Sequence, residues 1–120
     1  MILVDTSIWI DHLRSADPRL QELLEQDEAC THGLVLTGLA VGALSRRAEV
    51  LVLCSGCGAF RRVRDAEAQW LIESRRLWGQ GLSAVDVHLL AAVLAVDGAM
   101  LWTRDMRLAA AADDLGVAWR

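Results

Sequence analysis

Lysine, asparagine and tyrosine are missing from this 120-residue chain, and proline occurs once, at Pro18. All twelve basic residues are therefore arginine. The missing types share A/T-rich codons, so the bias reads as that of a GC-rich genome and not as selection for phosphate binding, although arginine does clamp phosphates bidentately. A broad basic face is lacking too. The net charge of −4 argues against a dedicated double-helix binder but leaves room for a basic rim around an acidic pocket. No apolar run reaches the ~20 residues that span a bilayer, since the longest nearly uncharged stretch, Gly33 to Ser45, stops at Arg46 and Arg47. Met1-Ile2-Leu3-Val4-Asp5 has no basic leader and meets a carboxylate at the fifth position, unlike a secretory signal. Cysteine is scarce and odd in number, at three, which suggests free thiols in a reducing, cytoplasmic compartment. Cys54-Ser-Gly-Cys57 has the C-x-x-C spacing but lacks the second pair or histidines that zinc would want; packing and turn formation are its expected roles.

What is present is apolar. Hydrophobic residues make up 54%, too many for disorder, and the length suits one domain over 1–120 with its own core. Ile2-Leu3-Val4 reads as a buried strand. Thr6 and Ser7 can then cap a helix carrying Ile8, Trp9, Ile10 and Leu13. Asp17-Pro18 is a cap with a first-turn proline, opening a helix with Leu20, Leu23 and Leu24 inward. Ala29 to His32 suits a short strand, Leu34 to about Arg47 a largely buried helix, and Ala48 to Leu53 a further one. Another short strand is expected around Phe60 to Val63, then a helix capped by Asp65. Ser83-Ala-Val-Asp86 is a capping-box pattern before an apolar helix. Ala99 to Trp102 reads as a second buried strand, Asp105 to Asp114 as a helix, and Gly116 to Trp119 as an edge strand. Strands alternating with helices imply an α/β fold: a short central parallel sheet flanked by helices on both faces. The five tryptophans lie mostly at core-like spacings.

Ligands of open parallel sheets bind beyond the carboxyl ends of the strands, at a switch in strand order. Asp5 follows the first strand directly, Asp105 lies three residues past Trp102, and Asp86 sits in the first turn of a buried helix. The three carboxylates can converge on one rim. Hard oxygen ligands suit Mg²⁺, or Mn²⁺, and such an ion can activate water against phosphorus. The bland alternatives stand beside this. Asp86 can be only the acid of its capping box, and Asp105 only a helix cap.

Ile2-Leu-Val-Asp-Thr-Ser-Ile-Trp-Ile-Asp-His-Leu13 resembles the opening of PIN-domain ribonucleases, specifically VapC-type toxins of bacterial toxin–antitoxin pairs. Arg76 to Leu90 is similar to the family's segment around its third acid, Leu101 to Leu108 to that around its fourth, and Thr31 to Gly42 to its second motif in length and flanks. The resemblance implies Mg²⁺ surrounded by Asp5, Asp86 and Asp105, with Asp5 and Asp86 touching the metal or its waters, and with Thr6 and Thr103 as supporting hydroxyls. It also implies RNA phosphodiester cleavage, a homodimer, and silencing by a cognate antitoxin. One position departs. Gly38 stands where the family's second motif has an acid, and no Asp or Glu lies between Glu28 and Glu49. The resemblance therefore implies either an impaired nuclease or a catalytically weak domain kept as an antitoxin-binding, dimerising module. A phosphatase or receiver-like reading would need a Gly-rich phosphate loop or a placed lysine, and has neither.

Overall fold

The computed structural model describes Met1–Arg120. Four parallel strands, β1 (Ile2–Val4), β2 (Ala29–Thr31), β3 (Gly58–Ala59) and β4 (Met100–Trp102), form one sheet in the order β3-β2-β1-β4. Every residue of β1 is buried. Successive strand side chains point to opposite faces, so unbroken burial means that both faces are covered. Seven helices do the covering: α1 (Thr6–Arg14), α2 (Pro18–Glu25), α3 (Gly33–Val41), α4 (Arg47–Ser55), α5 (Asp65–Arg75), α6 (Ala84–Leu94) and α7 (Met106–Asp114). Leu3, Val4, Ile8, Trp9, Leu89, Leu90 and Leu108 are fully enclosed in the shared core. Each such side chain contributes about 1.5–3 kcal/mol relative to an exposed one. The α/β class expected from the alternating pattern is the class found.

The chain leaves β1 toward β2 through α1 and α2. It leaves β4 in the other direction through α7, where Leu101 N donates to Val117 O (2.7 Å) and Trp119 N to Leu101 O (2.9 Å). The expected last strand is thus a single parallel bridge, Leu101 with Ala118. Neighbouring strands whose connections depart oppositely make a switch point, with a crevice at their carboxyl ends. Here the neighbours are β1 and β4, and the residues at that edge are Asp5 and Thr103 to Asp105. α6 packs on β4 and reaches it through the short turn 95–99, so it runs antiparallel to the strand. Its first turn, with Asp86, therefore lies at the same edge.

Three expectations need correction. The helix from Leu34 does not reach Arg47: α3 ends at Val41, Gly42 is its C-cap, and only Val35 and Leu39 are buried. A uniformly apolar run carries no amphipathic period, so its length was legible only as composition. β3 lies at Gly58–Ala59, not at Phe60 to Val63. Phe60 N still bonds Thr31 O (2.8 Å), and Phe60 and Val63 enter the core from extended chain. Trp9 and Trp102 are core residues as their spacing suggests, but Trp70 and Trp78 are 69% and 59% exposed.

Candidate active site

Asp5 is the N-cap residue of α1, yet its side chain makes no cap bond. Instead Oδ2 accepts from two hydroxyls, Ser7 Oγ at 3.0 Å and Thr103 Oγ1 at 2.7 Å. Each hydroxyl has one hydrogen, and both hydrogens point at Asp5. The hydroxyl oxygens in turn accept from backbone: Arg104 N donates to Ser7 Oγ and Asp105 N to Thr103 Oγ1, both at 3.0 Å. Two parallel chains of backbone N–H, hydroxyl and carboxylate result, and each polarises the next link. A hydrogen bond to a charged acceptor contributes about 1.5–3 kcal/mol, and half-buried Asp5 takes two on one oxygen. Its carboxylate plane is fixed from both strands of the switch point, while Oδ1 has no protein donor.

Asp105 performs the capping role that was its bland alternative. Its Oδ1 accepts from Arg107 N (2.9 Å) and Leu108 N (3.0 Å), closing the first turn of α7. Asp86 likewise completes the capping box: Asp86 N donates to Ser83 Oγ (3.1 Å) and Ser83 N to Asp86 Oδ2 (2.9 Å). Asp105 and Asp86 each retain one carboxylate oxygen without a protein donor. Thr103 ties Asp105's backbone to Asp5's side chain, so those two residues are joined. Asp86 has no hydrogen bond to either. The first turn of α6 reaches this edge only through the antiparallel run of the helix against β4, and Gly81, two residues before the α6 cap, lies against the side chain of Arg107 in α7.

Gly38 stands close to the start of α1. A Cβ there would stand 3.5 Å from Thr6 Oγ1 and 4.0 Å from Thr6 Cγ2, so any side chain at 38 projects beside the residue that follows Asp5. The carboxylates are hard oxygen donors of the kind Mg²⁺ takes one or two at a time while keeping several waters. They fit a weakly held, largely hydrated cation. They do not fit a closed cage, because no three acids, histidines or cysteines are gathered into a ligand group.

The sequence reading missed Ser7 and Arg104. Ser7 was legible only as a helix cap. Arg104 bridges Asp11 (2.6 Å) and Asp17 (2.7 Å), pinning the β4–α7 loop to the end of α1 and to the cap of α2. At about two-fifths exposure its charge is well screened, so its value lies in fixing the loop more than in net stability.

An aspartate at the switch point of a parallel sheet is common to several α/β families, and likeness of sequence separates them. The family model described as "PIN domain" matches residues 2–114, and the chain belongs to that family. Among curated proteins it is 54% identical over 118 residues to Ribonuclease VapC32 of Mycobacterium tuberculosis, in both strain CDC 1551 / Oshkosh and strain H37Rv. The match spans 98% of this chain and 95% of that protein, and it makes the chain a PIN domain of the VapC type. Among solved structures it is similar to PAE2754 from Pyrobaculum aerophilum, with a TM-score of 0.67 at 15% identity, over 98% of this chain and 87% of that one. At that identity the likeness speaks to fold alone.

Proposed function

We propose that this protein is the toxin of a toxin–antitoxin pair, a divalent-metal-dependent endoribonuclease whose site is Asp5, Asp86 and Asp105. The observation that carries the reading is the fixed carboxylate of Asp5, with Oδ2 held by Ser7 and Thr103 and Oδ1 open at the switch point. Mg²⁺, or Mn²⁺, held through Asp5 and Asp86 would supply charge neutralisation at the scissile phosphate and a more acidic water. The chain's own residues orient and exclude. Thr103 and Ser7 stop the Asp5 carboxylate from rotating, Asp105 keeps the start of α7 at the rim, and Thr6 offers a free hydroxyl between Asp5 and position 38.

With Gly38 in place of an acid, the site has less negative charge and fewer anchors for water. Losses of such supporting groups commonly cost about 10–100-fold, so slow cleavage is expected in Mg²⁺. The space at Gly38 also favours the second reading, a catalytically weak domain retained to bind an antitoxin and a second copy of itself. An acidic rim suits an arginine from such an antitoxin, because guanidinium pairs bidentately with carboxylate. The test is cleavage of defined single-stranded RNAs by the native chain, Asp5→Asn and Asp86→Asn, with Mg²⁺, Mn²⁺ or EDTA. The nuclease reading expects native cleavage that EDTA abolishes and both substitutions cut at least tenfold. Cleavage that persists in EDTA would reject it. No cleavage together with a tight partner encoded next to this chain would favour the second reading.

A further inference from the structure

Beside the acid rim lies a cleft of about 620 Å³ that the reading above does not use. Its walls include Arg19, Trp102, Thr103, Arg104, Trp119 and Arg120. We infer that this cleft seats the RNA strand adjoining the scissile bond, with Arg19 holding a backbone phosphate. The inference rests on the nuclease reading and extends it to the substrate.

Arg19 carries the argument. Its guanidinium carbon lies 4.8 Å from the ring centroid of Trp102 and 5.3 Å from that of Trp119. The two rings meet edge to face with centroids 4.7 Å apart and planes at 63°. A cation over two aromatic faces is held in position without using its N–H edge. The other two arginines of the cleft are neutralised: Arg104 pairs with Asp11 and Asp17, and Arg120 with Asp113. Arg19 has no carboxylate partner. A planar fork of donors already oriented, and not yet engaged, is what bidentate phosphate binding requires. Stacking by itself would explain Arg19 as packing. It would not explain an unengaged guanidinium in a cleft of mixed polar and apolar lining that reaches Thr103, whose hydroxyl is 2.7 Å from Asp5.

Thr103 gives the strand its path. Thr103 belongs to both the acid rim and the cleft, so a chain bound with one phosphate near Asp5 runs on over Thr103 toward Arg19. Trp119 is the partly exposed aromatic there, and a base would meet the part of its ring that Arg19 and Trp102 leave open, as in other single-strand sites. An acidic protein segment would satisfy the charge of Arg19 but would gain nothing from continuity with Asp5. RNA is the occupant favoured.

The experiment measures binding of a labelled single-stranded oligoribonucleotide to the non-cleaving Asp5→Asn protein, then to the same protein with Arg19→Ala or Arg19→Lys, across a salt series. Thermal melts verify that each variant is folded, and Trp119→Phe serves as an independent second probe of the cleft. Arg19→Ala is expected to weaken RNA binding roughly tenfold or more and to lower the slope of log affinity against log salt by about 0.7, the value for one lost contact to a single strand. Arg19→Lys should recover the slope and part of the affinity. In the cleaving protein, Arg19→Ala should raise KM more than it lowers kcat. Unchanged affinity and slope in folded Arg19→Ala overturn the inference. Arg19-dependent RNA binding by a chain that never cleaves RNA would support the cleft and reject the nuclease reading.

Discussion

Filling the space at Gly38 gives a prediction that separates helix energetics from site chemistry. Gly38 lies mid-helix in α3, exposed, and a Cβ there meets nothing nearer than Thr6 Oγ1 at 3.5 Å, an ordinary contact. Gly38→Ala therefore introduces no clash, and removing glycine from a helix interior should stabilise by about 1 kcal/mol. With an unfolding entropy of about 0.25 kcal/mol/K for a chain of this length, that is a rise in Tm of about 4 °C. Gly38→Glu has nearly the same helical gain but adds a negative charge beside Thr6 and so toward Asp5. In EDTA it should melt below the alanine variant. Mg²⁺ should reverse the order, because a cation at ten times its Kd adds about 1.4 kcal/mol, or about 6 °C. Differential scanning fluorimetry of native, alanine and glutamate proteins in EDTA and in a Mg²⁺ series reads all of this. An alanine variant that melts at or below the native chain would refute the packing argument. A glutamate variant no more responsive to Mg²⁺ than the alanine one would refute the proposal that position 38 faces a metal site.

Thr103→Val removes the 2.7 Å bond to Asp5 and the acceptor of Asp105 N; it should cost about 1–3 kcal/mol in urea unfolding and lower cleavage, whereas Thr103→Ser should restore most of both. Burial of His32 holds its imidazole below its ordinary pKa of 6.5. The unfolded chain then takes up a proton first on acidification, so His32 adds stability above that ordinary value and loses it as the pH falls through the folded pKa. His32 Nδ1 accepts from Leu34 N (3.0 Å) as the cap of α3; urea midpoints at pH 7.5 and 5.5 should show a drop that is smaller in His32→Asn, which keeps such an acceptor, and an equal drop would argue against this. Burial pushes the Cys57 thiol from 9.0 to about 11. At pH 8 its thiolate is then about 100-fold rarer than that of an ordinary thiol, and iodoacetamide should label the native chain far more slowly than the urea-unfolded one.

The sequence revealed those features whose partners are close along the chain. Asp5 stands out as a carboxylate directly after a buried strand, and the Ser83–Asp86 capping box forms within one turn, with both of its bonds present. Asp17 and Asp105 cap helices that their following residues already suggest. Ser7 was hidden for the opposite reason. Its local context favours a helix cap, but its hydroxyl is taken by Asp5 and by the backbone of Arg104, 97 residues away in sequence. Arg104 was hidden similarly, since nothing local pairs it with Asp11 and Asp17. Whether Asp86 shares the rim with Asp5 depends on how α6 packs against β4 and α7, which spacing does not encode. Trp70 recurs at helical intervals with core residues and only the tertiary packing turns it outward, while Trp78 lies in the turn beyond the end of α5.

The central claim is that a divalent-metal site built around Asp5 cleaves RNA and is weakened by the absence of an acid at position 38. The rate of single-stranded RNA cleavage, measured against Mg²⁺ concentration for the native chain and Gly38→Glu, tests it most directly. The account predicts that Gly38→Glu raises the rate by about 10–100-fold and shifts half-saturation to lower Mg²⁺, with Asp5→Asn abolishing the gain. A native chain already fully active at low Mg²⁺, and unchanged by Gly38→Glu, would contradict it.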